Sequence, residues 1–217
     1  MITNPPAESQ SKVQPVAVVE PGFEVTAQAF WDRNRSFILL VCAAALLAII
    51  GREGWQYYTA RNEQSVRNDY AKVADRPEQL AAFAGAHAGH ALAGVAYLRT
   101  ADTKYAAADF RFALENYSKA AAGLKNPALL ARARIGAAMS QINSGDKTAG
   151  ETALKTVGAD ETLPKNFRAE AIYHLATLAF EAGNAAEVSR LVTEVGKIEV
   201  SGLWAQRATA LLTIKAE

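Results

Sequence analysis

From Phe37 to Ile50 the chain carries no polar side chain except the thiol of Cys42. With Ser36 and Gly51 the uncharged run reaches 16 residues, or about 24 Å of helix, short of the roughly 30 Å of a hydrocarbon core. The flanks lengthen it. Trp31 to Trp55 spans about 36 Å as a helix, and Trp31 on one side faces Trp55, Tyr57 and Tyr58 on the other, as rings at headgroup level would. Arg33, Arg35 and Arg52 can reach outward on aliphatic stems. The pattern predicts one transmembrane helix within residues 29–58. A cleaved signal peptide fits less well, because the run starts late and helical sequence continues past it; a lipoprotein signal fits worse, because Cys42 follows Val41 and apolar sequence continues beyond it. A buried core helix is the third reading. Basic residues do not fix the orientation, with Arg33 and Arg35 before the run and Arg52, Arg61 and Arg67 after it.

Residues 1–28 hold Pro5, Pro6, Pro15 and Pro21 among Ser, Gln, Asn and Val, with no helical or strand period; they read as a disordered tail. Beyond the apolar run, Val66, Tyr70 and Val73 form a narrow stripe on a charged helix, a stem that prolongs the membrane helix. The rest, to residue 217, is helical with regular breaks. Pro77, Pro127 and Pro164 open Ala- or Leu-rich runs, Asn126 is an N-cap candidate, and Gly123, Gly145-Asp146, Gly158, Gly183-Asn184 and Gly196 stand where runs end. The spacing predicts helices near 52–75, 77–86, 88–101, 104–122, 127–143, 147–157, 165–182, 184–195 and 202–214.

Composition supports an all-α fold. Ala makes up about one residue in five and aromatics 8%, a balance that favours helix over sheet. Formal charges nearly cancel, 23 Lys+Arg against 22 Asp+Glu, which argues against nucleic-acid binding. One cysteine excludes an intramolecular disulfide framework and a Cys-based zinc site.

Paired helices of 12 to 19 residues call for a repeat search. Ala93-Gly94-Val95-Ala96-Tyr97 fits the tetratricopeptide element Leu-Gly-x-x-Tyr with Ala for Leu, and Ala106 to Phe110 fits the spacing Ala-x-x-x-Phe, with Ala113 at the next small position. Residues 172–184 give a second match through Ile172, Leu175, Ala176 and Ala179, and a looser middle unit carries Ile135, Gly136 and Met139. Gly94, Gly136 and Ala176 lie 42 and 40 residues apart, longer than the usual ~34, and His90 stands where the consensus has tryptophan. The expected fold is a transmembrane helix followed by a divergent tetratricopeptide-like solenoid over residues 59–217. Its packing positions would be Gly94, Tyr97, Ala106, Phe110, Ala113, Gly136, Leu175 and Ala176, with Gly94 against Ala106, Phe110 and Ala113. Generic helix pairs are the alternative.

With Phe30-Trp31, Ile50-Gly51 and Gly54-Trp55-Gln56-Tyr57 around the membrane segment, the arrangement resembles the ancillary Sec-translocon subunit family of bacterial inner-membrane proteins. The sharp likeness covers about 30 residues; the longer proline-bearing tail and weak repeat consensus depart from it. The resemblance implies a cytoplasmic N-terminus, a periplasmic helical domain and a non-catalytic role beside the translocon and periplasmic chaperones.

For chemistry the sequence offers little. His87 and His90 share a helical spacing used by metal pairs, without a nearby carboxylate between them; surface and packing roles are favoured, as for His174. There is no phosphate-cradling glycine loop and no Ser-centred elbow, so the reading is no enzyme and no cofactor. The repeat register places Val95, Leu98, Arg99, Ser140, Gln141, Tyr173, Thr177, Phe180 and Glu181 along a groove able to hold a peptide, or else packed between helices. The leading function is a membrane-anchored interaction module, a periplasmic chaperone-type adaptor of the Sec translocon. A structural subunit of another envelope complex and an enzyme using the His87–His90 pair are the alternatives.

Overall fold

The computed structural model describes residues 22–213, and among these the regular elements are all helices. They are α1 (Phe23–Val73), α2 (Pro77–Ala86), α3 (Ala91–Ala106), α4 (Phe110–Gly123), α5 (Pro127–Asn143), α6 (Lys147–Ala159), α7 (Lys165–Glu181), α8 (Ala185–Ile198) and α9 (Leu203–Leu211). The chain divides into two compact units, Met1–Thr59 and Ala60–Glu217. Helix α1 begins at Phe23, so residues 23–28, expected in the tail, are helical; the rest of that expectation, residues 1–21, lies outside the described residues. In the first unit α1 is long and apolar enough to cross a membrane.

In the second unit, local chemistry sets most helix ends. Pro77 and Pro127 open their helices, and the Asn126 carboxamide oxygen accepts from the amides of Ala128 and Leu129 at 3.0 and 3.1 Å. The α3–α4 boundary differs from expectation: α3 runs on to Ala106 and α4 starts only at Phe110. The reason is the turn. Ala108 takes φ 58°, the left-handed conformation that Gly145 (φ 101°) and Gly183 (φ 69°) take after α5 and α7. Three identical C-terminal motifs result: the amides of Asp109, Asp146 and Asn184 each donate 2.9 Å bonds five residues back, to Lys104, Gln141 and Ala179. Alanine in place of glycine hid the first of the three. The turns stand 37 and 38 residues apart, a more regular period than the 42 and 40 read from sequence.

This moves the register. Ala106 and Phe110 straddle the turn instead of sharing the second helix, and Ala106 is exposed, not a packing position. The small–aromatic element of α4 is Ala113 and Tyr117, one face on, both buried with Ala120. Because α3 and α4 run antiparallel, Gly94 near the start of α3 meets Gly123 and Leu124 at the end of α4, not Ala106, Phe110 and Ala113. Helix α4 packs on α3 and α5, α6 on α5 and α7, and α8 on α7 and α9, while α3, α5, α7 and α9 also touch in succession. Alanine dominates the interior, with Leu175 and Ala176 in the same core as Leu154, Val157 and Leu191. A smaller cluster joins Val66 of α1 to Leu80 and Phe83 of α2 and to Ala93 and Ala96 of α3, with Tyr70, Val73 and Tyr97 against it.

Two substitutions of opposite sign test this register. A Cβ on Gly136 would run into the ring of Tyr117, so Gly136→Ala should destabilise by about 1–3 kcal/mol through overpacking. Ala108→Gly removes the left-handed strain at the α3–α4 turn and should raise stability by up to about 1 kcal/mol, the relief being partly offset by the freer unfolded chain. Chemical denaturation of the two variants reads both; a neutral Gly136→Ala would refute the close α4–α5 contact.

Candidate functional site

Successive odd-numbered helices build one shared face. Asp102 and Tyr105 on α3, Arg132, Ile135, Gly136 and Met139 on α5, and Glu170 and His174 on α7 line a cavity of about 240 Å³, with Tyr117 of α4 behind it. On α5 the members recur at three- and four-residue steps, so they share one side of the helix.

Hydrogen bonds fix the geometry. The Tyr117 hydroxyl donates to Asp102 Oδ1 at 2.8 Å and the Arg132 guanidinium donates to Asp102 Oδ2 at 2.7 Å, so one carboxylate ties α3, α4 and α5 together. The Asn143 amide donates to the Tyr105 hydroxyl at 2.7 Å, and the Tyr105 and Tyr117 rings meet edge to face with centroids 6.5 Å apart. Burial, then the bond to Asp102, pushes the Tyr117 phenol well above its ordinary range. Toward α9 the face turns aromatic and cationic. His174 lies 3.9 Å from Glu170, Tyr173 and His174 stand 5.3 and 6.1 Å from the Trp204 ring, and Arg207 stacks 4.9 Å over that ring.

The expected groove residues fall on several surfaces. Leu98 and Ser140 are buried: Leu98 belongs to the α3–α4–α5 core, and the Ser140 hydroxyl donates to the Gly136 carbonyl at 2.7 Å. Neither lines a groove. Arg99 reaches the Tyr70 hydroxyl on α1 at 3.3 Å, and Val95 packs on the α3–α4–α5 core. Gln141 is half-buried, Phe180 packs against the main core, and Glu181 is exposed. Tyr173 stands beside Trp204 as above, and Thr177 is half-buried with its hydroxyl bonded to the Tyr173 carbonyl at 3.1 Å. The expected groove left out Asp102, Tyr105, Arg132 and Glu170, and had Met139 only as a repeat position and His174 only as a packing residue, though the 132–136–139 spacing on α5 was available to join part of them.

The histidines have structural partners. His90 is the N-cap of α3, its Nδ1 accepting from the Leu92 amide at 3.1 Å while Nε2 meets Glu63 Oε1 of α1 at 3.0 Å; it caps and bridges instead of filling an aromatic slot. His87 stacks on Phe83 at 4.5 Å and lies 3.9 Å from Asp69. On α1, Trp31, Arg33, Arg35, Arg52, Trp55, Tyr57 and Tyr58 are all exposed.

Residues 28–172 match the family model for a tetratricopeptide repeat-like domain. The chain belongs to that family. No curated protein and no solved structure matches it. Most of α7 and all of α8 and α9 lie beyond the matched segment, yet α7 and α8 repeat the turn and pairing of the two helix pairs before them. The tetratricopeptide repeat-like domain makes the chain a protein–protein interaction module.

The Tyr117 link gives a pH prediction. An unfolded tyrosine loses its proton near 10.0, while folded Tyr117 keeps it to higher pH. The folded state then binds more protons than the unfolded one, so stability is full below pH 10 and falls as pH rises beyond it. Tyr117→Phe should remove that part of the slope and cost about 0.5–1.5 kcal/mol at neutral pH for the lost hydrogen bond. Thermal melts of both proteins from pH 7 to 11 check this; identical slopes would refute it.

Proposed function

We propose that the chain is a membrane-anchored adaptor whose α3–α5–α7 face holds an extended segment of a partner protein. The observation that supports this best is the cavity itself: it crosses three successive repeats, with apolar Met139 and the buried Ile135 beneath it between the polar ends Asp102–Arg132 and Glu170–His174. Apolar anchors flanked by polar contacts suit a peptide in extended form. Helix α1, with its exposed apolar side chains and its Trp31 and Trp55 flanks, acts as the anchor. From the likeness around Trp31 and Trp55 to the ancillary Sec-translocon subunits, the setting is the bacterial inner membrane, with residues 1–30 cytoplasmic and the solenoid periplasmic, beside the translocon and periplasmic chaperones.

Two measurements test the proposal. An alkaline phosphatase fused after residue 217 should be active in intact cells, and a well-expressed inactive fusion would reverse the topology. A photo-crosslinking amino acid at Met139, activated in intact membranes, should label translocon subunits, periplasmic chaperones or their clients. Labelling of a different stoichiometric assembly would favour a structural arm of another envelope complex.

A further inference from the structure

Among the described residues of the second unit, Val200, Leu203 and Leu212 are exposed around α9, and within α2 to α8 one large hydrophobic side chain is exposed: Phe112, at 55%. It stands on the wall of a cleft of about 550 Å³ at the α3–α4 turn, with Phe110 and Arg111 beside it and Ser144 of the α5–α6 turn across. No residue lining this cleft lines the α3–α5–α7 cavity. Phe110 is half-buried, its ring edge-on to Tyr105 at 5.3 Å. The rest of the solenoid does not repeat this arrangement. Counted from the left-handed residue of each turn, Phe110 and Phe112 correspond to Lys147 and Ala149 in the next repeat and to Ala185 and Glu187 in the third. Fold geometry therefore does not demand two phenylalanines here.

The charges around the cleft leave one sign over. Lys104 meets Asp109 at 3.7 Å while lying 5.5 Å over the Phe112 ring, and Glu115 is held by Lys119 at 2.6 Å. Arg111 is exposed and makes no ion pair among the described residues. Asp109 and Glu115 line the cleft beside Phe110, Arg111 and Phe112, and with both carboxylates paired to lysines the one uncompensated guanidinium, beside an exposed ring, complements an aromatic side chain next to a carboxylate. We propose that the Phe112 cleft is a second docking surface, separate from the α3–α5–α7 face, for a partner-protein segment in which an aromatic residue is flanked by acidic ones.

Fluorescence anisotropy with the full chain in nanodiscs tests this using three labelled peptides: Gly-Ser-Asp-Phe-Asp-Ser-Gly, its version with lysines for the aspartates, and its version with alanine for the phenylalanine. The first should bind at least tenfold more tightly than the other two. Phe112→Ala and Arg111→Glu should each abolish that preference. Both side chains are exposed, so an unchanged circular dichroism melt should accompany the loss. Met139→Ala, in the other face, should leave it intact. Equal binding of the three peptides, no saturable binding, or a preference that survives Phe112→Ala would overturn the proposal. If the preference disappears in Met139→Ala but not in Phe112→Ala, the segment sits on the α3–α5–α7 face, and only the second surface falls. Concentration-dependent dimers lost in Phe112→Ala would make a second copy the occupant and would also overturn it.

Discussion

Close approach of helix backbones is the constraint on which the solenoid depends. Where α3 meets α4 a Cβ on Gly94 would press on the Leu124 side chain at 3.1 Å, while one on Gly123 would just touch the Gly94 backbone at 3.6 Å. Alanine fills most other contact positions, including Ala96, Ala101, Ala113, Ala120, Ala133 and Ala138. Alanine loses no rotamer entropy on burial, so each contact is cheap to order but contributes little area of its own. Stability then rests on many short contacts and on a few large side chains placed between pairs, of which Tyr117 against Gly136 is the clearest. Interiors this close to the backbone respond to a single added methyl.

The same closeness explains the polar link in the α3–α5–α7 face. An alanine interior cannot by itself fix how far one helix slides along the next, because its surface is nearly featureless. Asp102, accepting from Tyr117 and Arg132, supplies a directional tie among three helices. An exposed ion pair is worth only about 0–1 kcal/mol; the larger part of the link is the buried phenol, which has no other hydrogen-bond partner among the described residues. The tie therefore sets position more than it adds stability. It also places Tyr105, Arg132 and Met139 side by side on one face.

Much of this was legible in sequence wherever a residue acts through its own backbone. Asn126-Pro127, Gly145-Asp146 and Gly183-Asn184 mark helix ends by local chemistry, and the corresponding boundaries agree with expectation to within a residue or so. What failed depended on partners distant in sequence. Ala108 adopts a glycine-like φ only because the surrounding turn imposes it, so Ala106 and Phe110 looked like one helical element. Leu98 and Ser140 share helix faces with groove-lining residues and differ from them only by the neighbours that cover them. His90 caps α3 locally, but its bridge to α1 depends on Glu63, 27 residues away. A periodic pattern identifies a face; which neighbour covers it is decided by packing.

The first repeat pays most for its turn, and that bears on what the turn is for. A left-handed alanine costs on the order of 1 kcal/mol relative to glycine, and the two later repeats avoid that cost with Gly145 and Gly183. Asp109 adds to the difference: its side chain faces Lys104 and makes no cap bond, whereas Asp146 and Asn184 cap α6 and α8 through the amides of Ala149 and Glu187. Lys104, drawn toward Asp109, comes to lie over the Phe112 ring. The left-handed residue is a need of the fold, shared by all three turns; what the first turn alone adds is an aspartate that forgoes its cap bond, faces Lys104, and leaves that lysine over the exposed Phe112 ring.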